Sequence, residues 1–306
     1  MACCTISSGR WFRALGTALD FRATLGEGLH WDALRGVLWL VDIHGRRLAC
    51  CRPGDTQWRE WATPQRVGWV LPLLGQEAVL VGFQQGVARL VLDDPGAFSW
   101  RCPLFINRPH MRLNDAKADA SGAVWAGSLN NDDESRPDGC LYRIDAATGV
   151  AVVADTGYAV ANGPAIHPGG EWMLHTDSAR RTIYAFDLDT ASGALTGRRV
   201  WKTLTEAEGY PDGMTFDAEG CLWLAHWGAG CISRFAANGE LLRRIQLPTS
   251  HISNVCFGGV GLDRLFVTSA RVGLSAEQLA AQPLAGALFE VDAGGVLGLA
   301  GYPARG

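Results

Sequence analysis

The sequence contains no C-x-x-C pair, no block of Lys or Arg, no long helix-forming stretch and no apolar run approaching a membrane span. Each absence removes a class of function. Nine cysteines, odd in number and without paired spacing, argue against a disulfide framework or a thiolate metal site, and read as small thiols in a reducing compartment. A net charge of −4 with dispersed basic residues leaves no electrostatic footprint for nucleic acid or an anionic membrane surface. No window reaches the roughly 18 apolar residues of a transmembrane helix. The N-terminal MACCTISSGRWFRALG lacks a signal-peptide apolar core, so a cytoplasmic location is expected. A G-x-S-x-G elbow and a Walker loop are missing, and the GEG at Gly26 lacks the third glycine of a dinucleotide fingerprint.

Glycine, by contrast, is abundant at 38 residues, which favours many short strands joined by turns. One frame of such strands recurs. In EGYPDGMTFDAEGCLWLAHW, from Glu208, a polar residue (Asp212) precedes a short apolar strand, an acidic Gly-bearing turn and an aromatic-centred strand. The frame reappears as GEGLHWDALRGVLWL, LNDAKADASGAVWAG and ANGPAIHPGGEWMLH, and more loosely as SNVCFGGVGLDRLFVT. Asn114, Asn162 and Asp212 each lie 11 residues before Trp125, Met173 and Trp223; Glu27 and Asn254 lie 12 before Trp39 and Phe266. If each frame is one repeat, these polar residues hold equivalent places and meet at one axis.

From Gly26 the chain divides into six units of roughly 40–50 residues, the period of four-stranded propeller blades. The expected architecture is all-β: a six-bladed β-propeller of four-stranded antiparallel blades around a central channel. It fills one domain over residues 19–306, behind an N-terminal tail over 1–18. The last blade is expected to use 296–300 as its fourth strand, with an early strand at 20–24 pairing onto it to close the ring. The second unit is the least regular and carries no acid at the marked place. Residues 130–139, NNDDESRPDG, read as an exposed loop near one face, 190–197 as a turn, and 275–282 as a short helix capped by Ser275.

LGEG, RLNDAKADASGAVWAGS, NGPAIHP with HTDSARRTIYAFDLD, YPDGMTFDAEGCLWLAHWGAG and SNVCFGG together resemble the senescence-marker-protein/regucalcin/gluconolactonase family, nearest in feel to bacterial aldonolactonases. The match covers nearly the whole chain after residue 20. The resemblance implies a six-bladed propeller holding one divalent cation (Ca, Mg, Mn, Zn or Fe(II)) in its channel and hydrolysing a sugar lactone such as arabinono-, xylono-, galactono- or gluconolactone. The chain departs from the family at Leu29, where Pro is usual, and at Ala116, where Gly is usual.

Glu27, Asn162 and Asp212 offer two carboxylates and an amide oxygen, a set suited to a hard cation. By resemblance they are the metal ligands, and Asp212 doubles as the general base. Taken singly, an acid or Asn beside glycine is ordinarily a turn residue; the shared register is what singles these out. Arg112 and Asn114, two apart on a strand, point the same way, and by resemblance they hold substrate. Asp132 falls where the family places an acid on the sugar hydroxyls, with Asn131, Asp133 and Glu134 as alternatives in the same loop. The histidines lack helical zinc spacing and read as core or rim residues, with His226 and His251 near the pocket mouth; the tryptophans read as blade core, with Trp69 or Trp227 able to stack on a sugar. A non-enzymatic calcium-binding or protein-docking propeller is the rival reading, and a propeller esterase on other lactones or organophosphates a third.

Overall fold

Runs such as VLWLVD (Val37–Asp42) and LWLAHW (Leu222–Trp227) are rich in the branched and aromatic side chains that pack on a pleated surface. The hairpins ahead of them end at glycines in the left-handed region, Gly36 at φ +64° and Gly220 at φ +75°. The computed structural model describes residues 4–8, 11–13, 16–92 and 98–306, with side chains from residue 19 onward. Six antiparallel sheets follow one another along the chain. Their inner strands are Gly26–Asp32, Val67–Pro72, Met111–Ala118, Ala161–Ile166, Tyr210–Phe216 and Ile252–Gly258. Each packs on the inner strand of the next blade and the sixth returns to the first, so the molecule is a closed six-bladed propeller. Among the described residues, no helix is long and apolar enough to cross a membrane.

Ring closure differs from the expectation. The strand that completes the last blade is Gly16–Leu19, paired antiparallel with Leu288–Val291, while residues 20–24 form no strand. Trp11–Arg13 adds beyond it, and Cys4–Ser8 pairs outside Gln57–Ala62 of the first blade. The rest of the expected 1–18 tail lies outside the described residues. Residues 296–300 are not a strand either: Gly298 lies flat on Phe257, where any side chain would collide, and bridges to Asp217 at the ends of the inner strands. The C-terminal segment therefore crosses one mouth of the channel. The 190–197 turn is shorter than expected, since strand resumes at Ala194. The helix Ala276–Ala281 forms as expected, with Ser275 Oγ accepting the Gln278 amide.

In three blades a carboxylate in the hairpin after the inner strand accepts the indole N–H of the next strand: Asp32 from Trp39 at 3.3 Å, Asp119 from Trp125 at 2.9 Å and Asp217 from Trp223 at 2.9 Å. Asp217, fully buried, also takes the Arg234 Nε at 2.7 Å and the backbone amides of Glu219 and Cys221 at 3.0 Å. Removing it leaves three N–H donors unpaired and takes from Arg234 one of its two carboxylate partners, Glu219 at 2.7 Å being the other. Asp217→Ala is expected to cost about 3 kcal/mol of folding stability, seen as a lower urea midpoint; an unchanged midpoint would show that these contacts are dispensable.

Candidate active site

All six inner strands carry the same irregularity. Their ladders slip by one residue between Glu27 and His30, Val67 and Trp69, Leu113 and Ala116, Asn162 and Ala165, Pro211 and Met214, and Ile252 and Asn254. A bulge bends its strand and re-aims the side chains within it, and here six bulges face one axis. The expected equivalence of the polar residues splits in two. Glu27 and Asn162 are the last pairs before the slip, opposite Val41 and Thr176, whereas Asn114 and Asp212 sit inside it. Hairpins one residue longer in the third and fifth blades (Ala118 to Val124 and Phe216 to Leu222, against Asp32 to Val37) mask this offset in linear spacing. Leu29 and Ala116, the departures from the family pattern, lie in and directly after bulges and are buried.

The bulges bring Glu27, Arg112, Asn114, Asp115, Asn162, Asp212 and Asn254 into one buried cluster, none more than 6% exposed. The Asn162 Nδ2 donates to Asp212 Oδ1 and, at 3.2 Å, to Ser178 Oγ, which itself donates to the Pro211 carbonyl at 2.6 Å. Its Oδ1 is buried with no donor among the described residues. Asn254 spends its Nδ2 on two carboxylates, Glu27 Oε2 at 2.9 Å and Asp115 Oδ2 at 3.3 Å, while its Oδ1 accepts the Val255 amide. Gly213 makes room for it: a Cβ there would collide with the Asn254 amide.

Arg112 is the guanidinium of this cluster. Its Nη1 donates to Asn114 Oδ1 and the Leu113 carbonyl and its Nε to Asn131 Oδ1 at 3.2 Å, leaving Nη2 without a hydrogen bond among the described residues. Asn114 turns its Nδ2 to the Ala161 carbonyl at 2.8 Å. Burial lowers the Arg112 pKa to about 10, opposed first by the carboxylate of Glu134. Asp132 is not drawn into the cluster: it is exposed, and among the described residues its carboxylate meets only the Asn131 amide, at 3.5 Å. Within the loop that carries Asp132, it is Asn131 and the Glu134 carboxylate that interact with Arg112. Sequence reasoning gave no role to Asn254 or Ser178; the Asn254 frame, 12 residues before Phe266, was the available signal.

Burial, then the charge of Asp115, raises the Glu27 pKa to about 8. Burial, then Glu27 and Asp115, holds Asp212 well above the carboxylate range, and burial raises Asp115 likewise. The cluster therefore carries more carboxyl groups than its one guanidinium, Arg112, compensates. Among the described residues no three His, Cys, Asp or Glu side chains stand close enough to chelate an ion alone, so an amide oxygen must complete any set. Asn162 Oδ1, buried and without a donor beside Asp212, fits that place, and an all-oxygen set suits a hard divalent cation. The remaining candidates lie elsewhere. His226 is buried with Nδ1 on the Glu208 carbonyl, Trp69 packs in the core, and His251 stacks on Trp227 with 4.3 Å between ring centres.

Residues 25–271 match the family model described as SMP-30/Gluconolactonase/LRE-like region. An L-arabinolactonase of Azospirillum brasilense is 36% identical, the match spanning 88% of this chain and 89% of that one. A 6-deoxy-6-sulfogluconolactonase of Pseudomonas putida is 33% identical over 87% of this chain and 90% of its own. Among solved structures, regucalcin, a calcium-binding protein from Agrobacterium tumefaciens, superposes with a TM-score of 0.89 at 25% identity, covering 95% of this chain and 97% of that one.

Because the folded state holds the Glu27 proton between the ordinary 4.5 and about 8, the metal-free fold loses stability through this group as pH rises across that window. Glu27→Gln removes the penalty. The stability of the metal-free variant relative to the parent is expected to climb from pH 4.5 to about 8 and then level off, as measured by urea midpoints. A gap independent of pH would show that Glu27 is ionised in the fold throughout.

Proposed function

Since the chain belongs to the SMP-30/gluconolactonase/LRE-like family, we propose that it is a sugar lactonase, opening the ester of an aldonolactone such as arabinono-, xylono-, galactono- or gluconolactone to the aldonic acid. The observation that carries this reading is the buried Asn162 Oδ1, without a donor among the described residues, beside Asp212, with the charge of Glu27 acting on the same carboxyl and Arg112 adjacent. Glu27, Asn162 and Asp212 would hold one divalent cation, which when bound would supply Lewis-acid polarisation of the lactone carbonyl and charge stabilisation of the oxyanion. Calcium is the first ion to test, because the donors are all oxygen and the Agrobacterium relative is a calcium-binding protein.

This chain's own groups do the rest. Asp212, held by the Asn162 amide, takes the proton from the attacking water. Arg112 directs its open Nη2 at the sugar, while Asn114 and Asn131 fix the guanidinium plane. Asp132, beside Asn131 on the exposed lip, reaches the outer hydroxyls.

Acid release from a panel of aldonolactones is expected to stop with EDTA and return with one divalent ion. Asp212→Asn, tested with the ion present, should lower kcat by at least about 1000-fold with the fold intact. Full activity in that variant would reject Asp212 as base, and tight calcium binding with no lactone turned over would favour a non-catalytic binding protein. Arg112→Ala is expected to raise KM about tenfold or more while leaving calcium affinity within a factor of about three; unchanged kinetics would dismiss its substrate role.

A further inference from the structure

The groups assigned so far occupy the end of the channel where the inner strands begin. At the other end, where those strands enter their hairpins, lies a cavity of about 250 Å³, with the C-terminal residues Gly301 and Tyr302 forming part of its wall. Polar residues lining it include His30, Lys117 and Thr215, and its apolar residues include Leu29, Ala165 and Met214.

Lys117 is half-buried and makes no hydrogen bond or ion pair among the described residues. The carboxylate lining the same cavity, Asp119, is committed elsewhere: to the Trp125 indole at 2.9 Å, to the Ser121 amide and hydroxyl, and to the Ala123 amide. His30 is only 5% exposed, and neither ring nitrogen is hydrogen-bonded among the described residues. Burial and the neighbouring Lys117 push its pKa down to about 3, so the imidazole is neutral and offers one N–H donor without a second charge. The Thr215 hydroxyl is likewise without a partner among the described residues. A half-buried ammonium, a neutral N–H and a hydroxyl on a cavity wall that is more apolar than polar are complementary to an anion attached to a short hydrocarbon.

We propose that this far cavity is a second binding site, for a small monocarboxylate with a short apolar body. The carboxylate rests on Lys117, with His30 and Thr215 as further donors, and the hydrocarbon lies on Leu29, Ala165 and Met214. At ~30 Å³ per heavy atom, the volume holds a ligand of up to about eight such atoms.

Calorimetric titration of the full chain with butyrate, using neutral butyramide as control, tests the site. Butyrate is expected to bind and butyramide not. Lys117→Met should weaken butyrate at least about tenfold and Thr215→Val about threefold, whereas Arg112→Ala at the opposite end should leave it unchanged. No butyrate binding to the parent chain, equal binding of the amide, or loss in Arg112→Ala with retention in Lys117→Met would each overturn the proposal.

Discussion

Three carboxylates, Glu27, Asp115 and Asp212, are carried out of water to one axis and left short of donors. The contrast with other buried acids is instructive. Asp42 takes the backbone amides of Thr24, Leu25 and Gly45 and the Arg47 guanidinium, and Asp217 is equally well supplied. Such acids tie loops to blades. At the axis, by comparison, one Asn254 amide is shared between two carboxylates, and an Asn162 oxygen has no donor among the described residues. A buried charge without compensation costs several kcal/mol in real proteins, so the cluster holds protons, as the raised pKa of Glu27 reflects, or a cation. That unsatisfied electrostatic demand marks the site more sharply than the identity of any single residue.

What permits the demand is the ring. Six inner strands packed side by side would present alternating side chains to the channel, and one slip per strand at the same level breaks the alternation and turns successive residues inward. Glycine recurs at these slips because backbone crowds there. Gly28 and Gly163 sit at φ +60° and +74°, and Gly213 leaves space that the Asn254 amide fills. Closure by Gly16–Leu19 against Leu288–Val291 joins both ends of the chain in one blade, which covers an edge and holds the ring, and with it the site, together. Five of these strands, all but Val67–Pro72, line the second cavity at their other ends, so the same ring builds both mouths.

Much of this was legible in the chain. The apolar second strands, the Gly-bearing turns and the recurring 11 or 12 residue interval located blade after blade, and the polar residue heading each interval was the one that reached the axis. The inner strand of the third blade begins at Met111 and carries Arg112 and Asn114. They are strand residues turned by a bulge, and a bulge leaves no pattern of period two to recognise. The closing strand was misplaced for a different reason: pairing between residues some 270 positions apart follows from where the ring ends meet, which local propensity does not encode.

The sequence alone determined the architecture and the donor types, because period, turn chemistry and the carboxylate or amide character of a side chain are local properties. Only the tertiary structure decided which donors are short of partners, which member of the 130–134 loop faces Arg112, and that the channel has a second occupied-sized space at its far mouth. Those are matters of desolvation and distance between residues from different blades, and they come into existence only once the ring has closed.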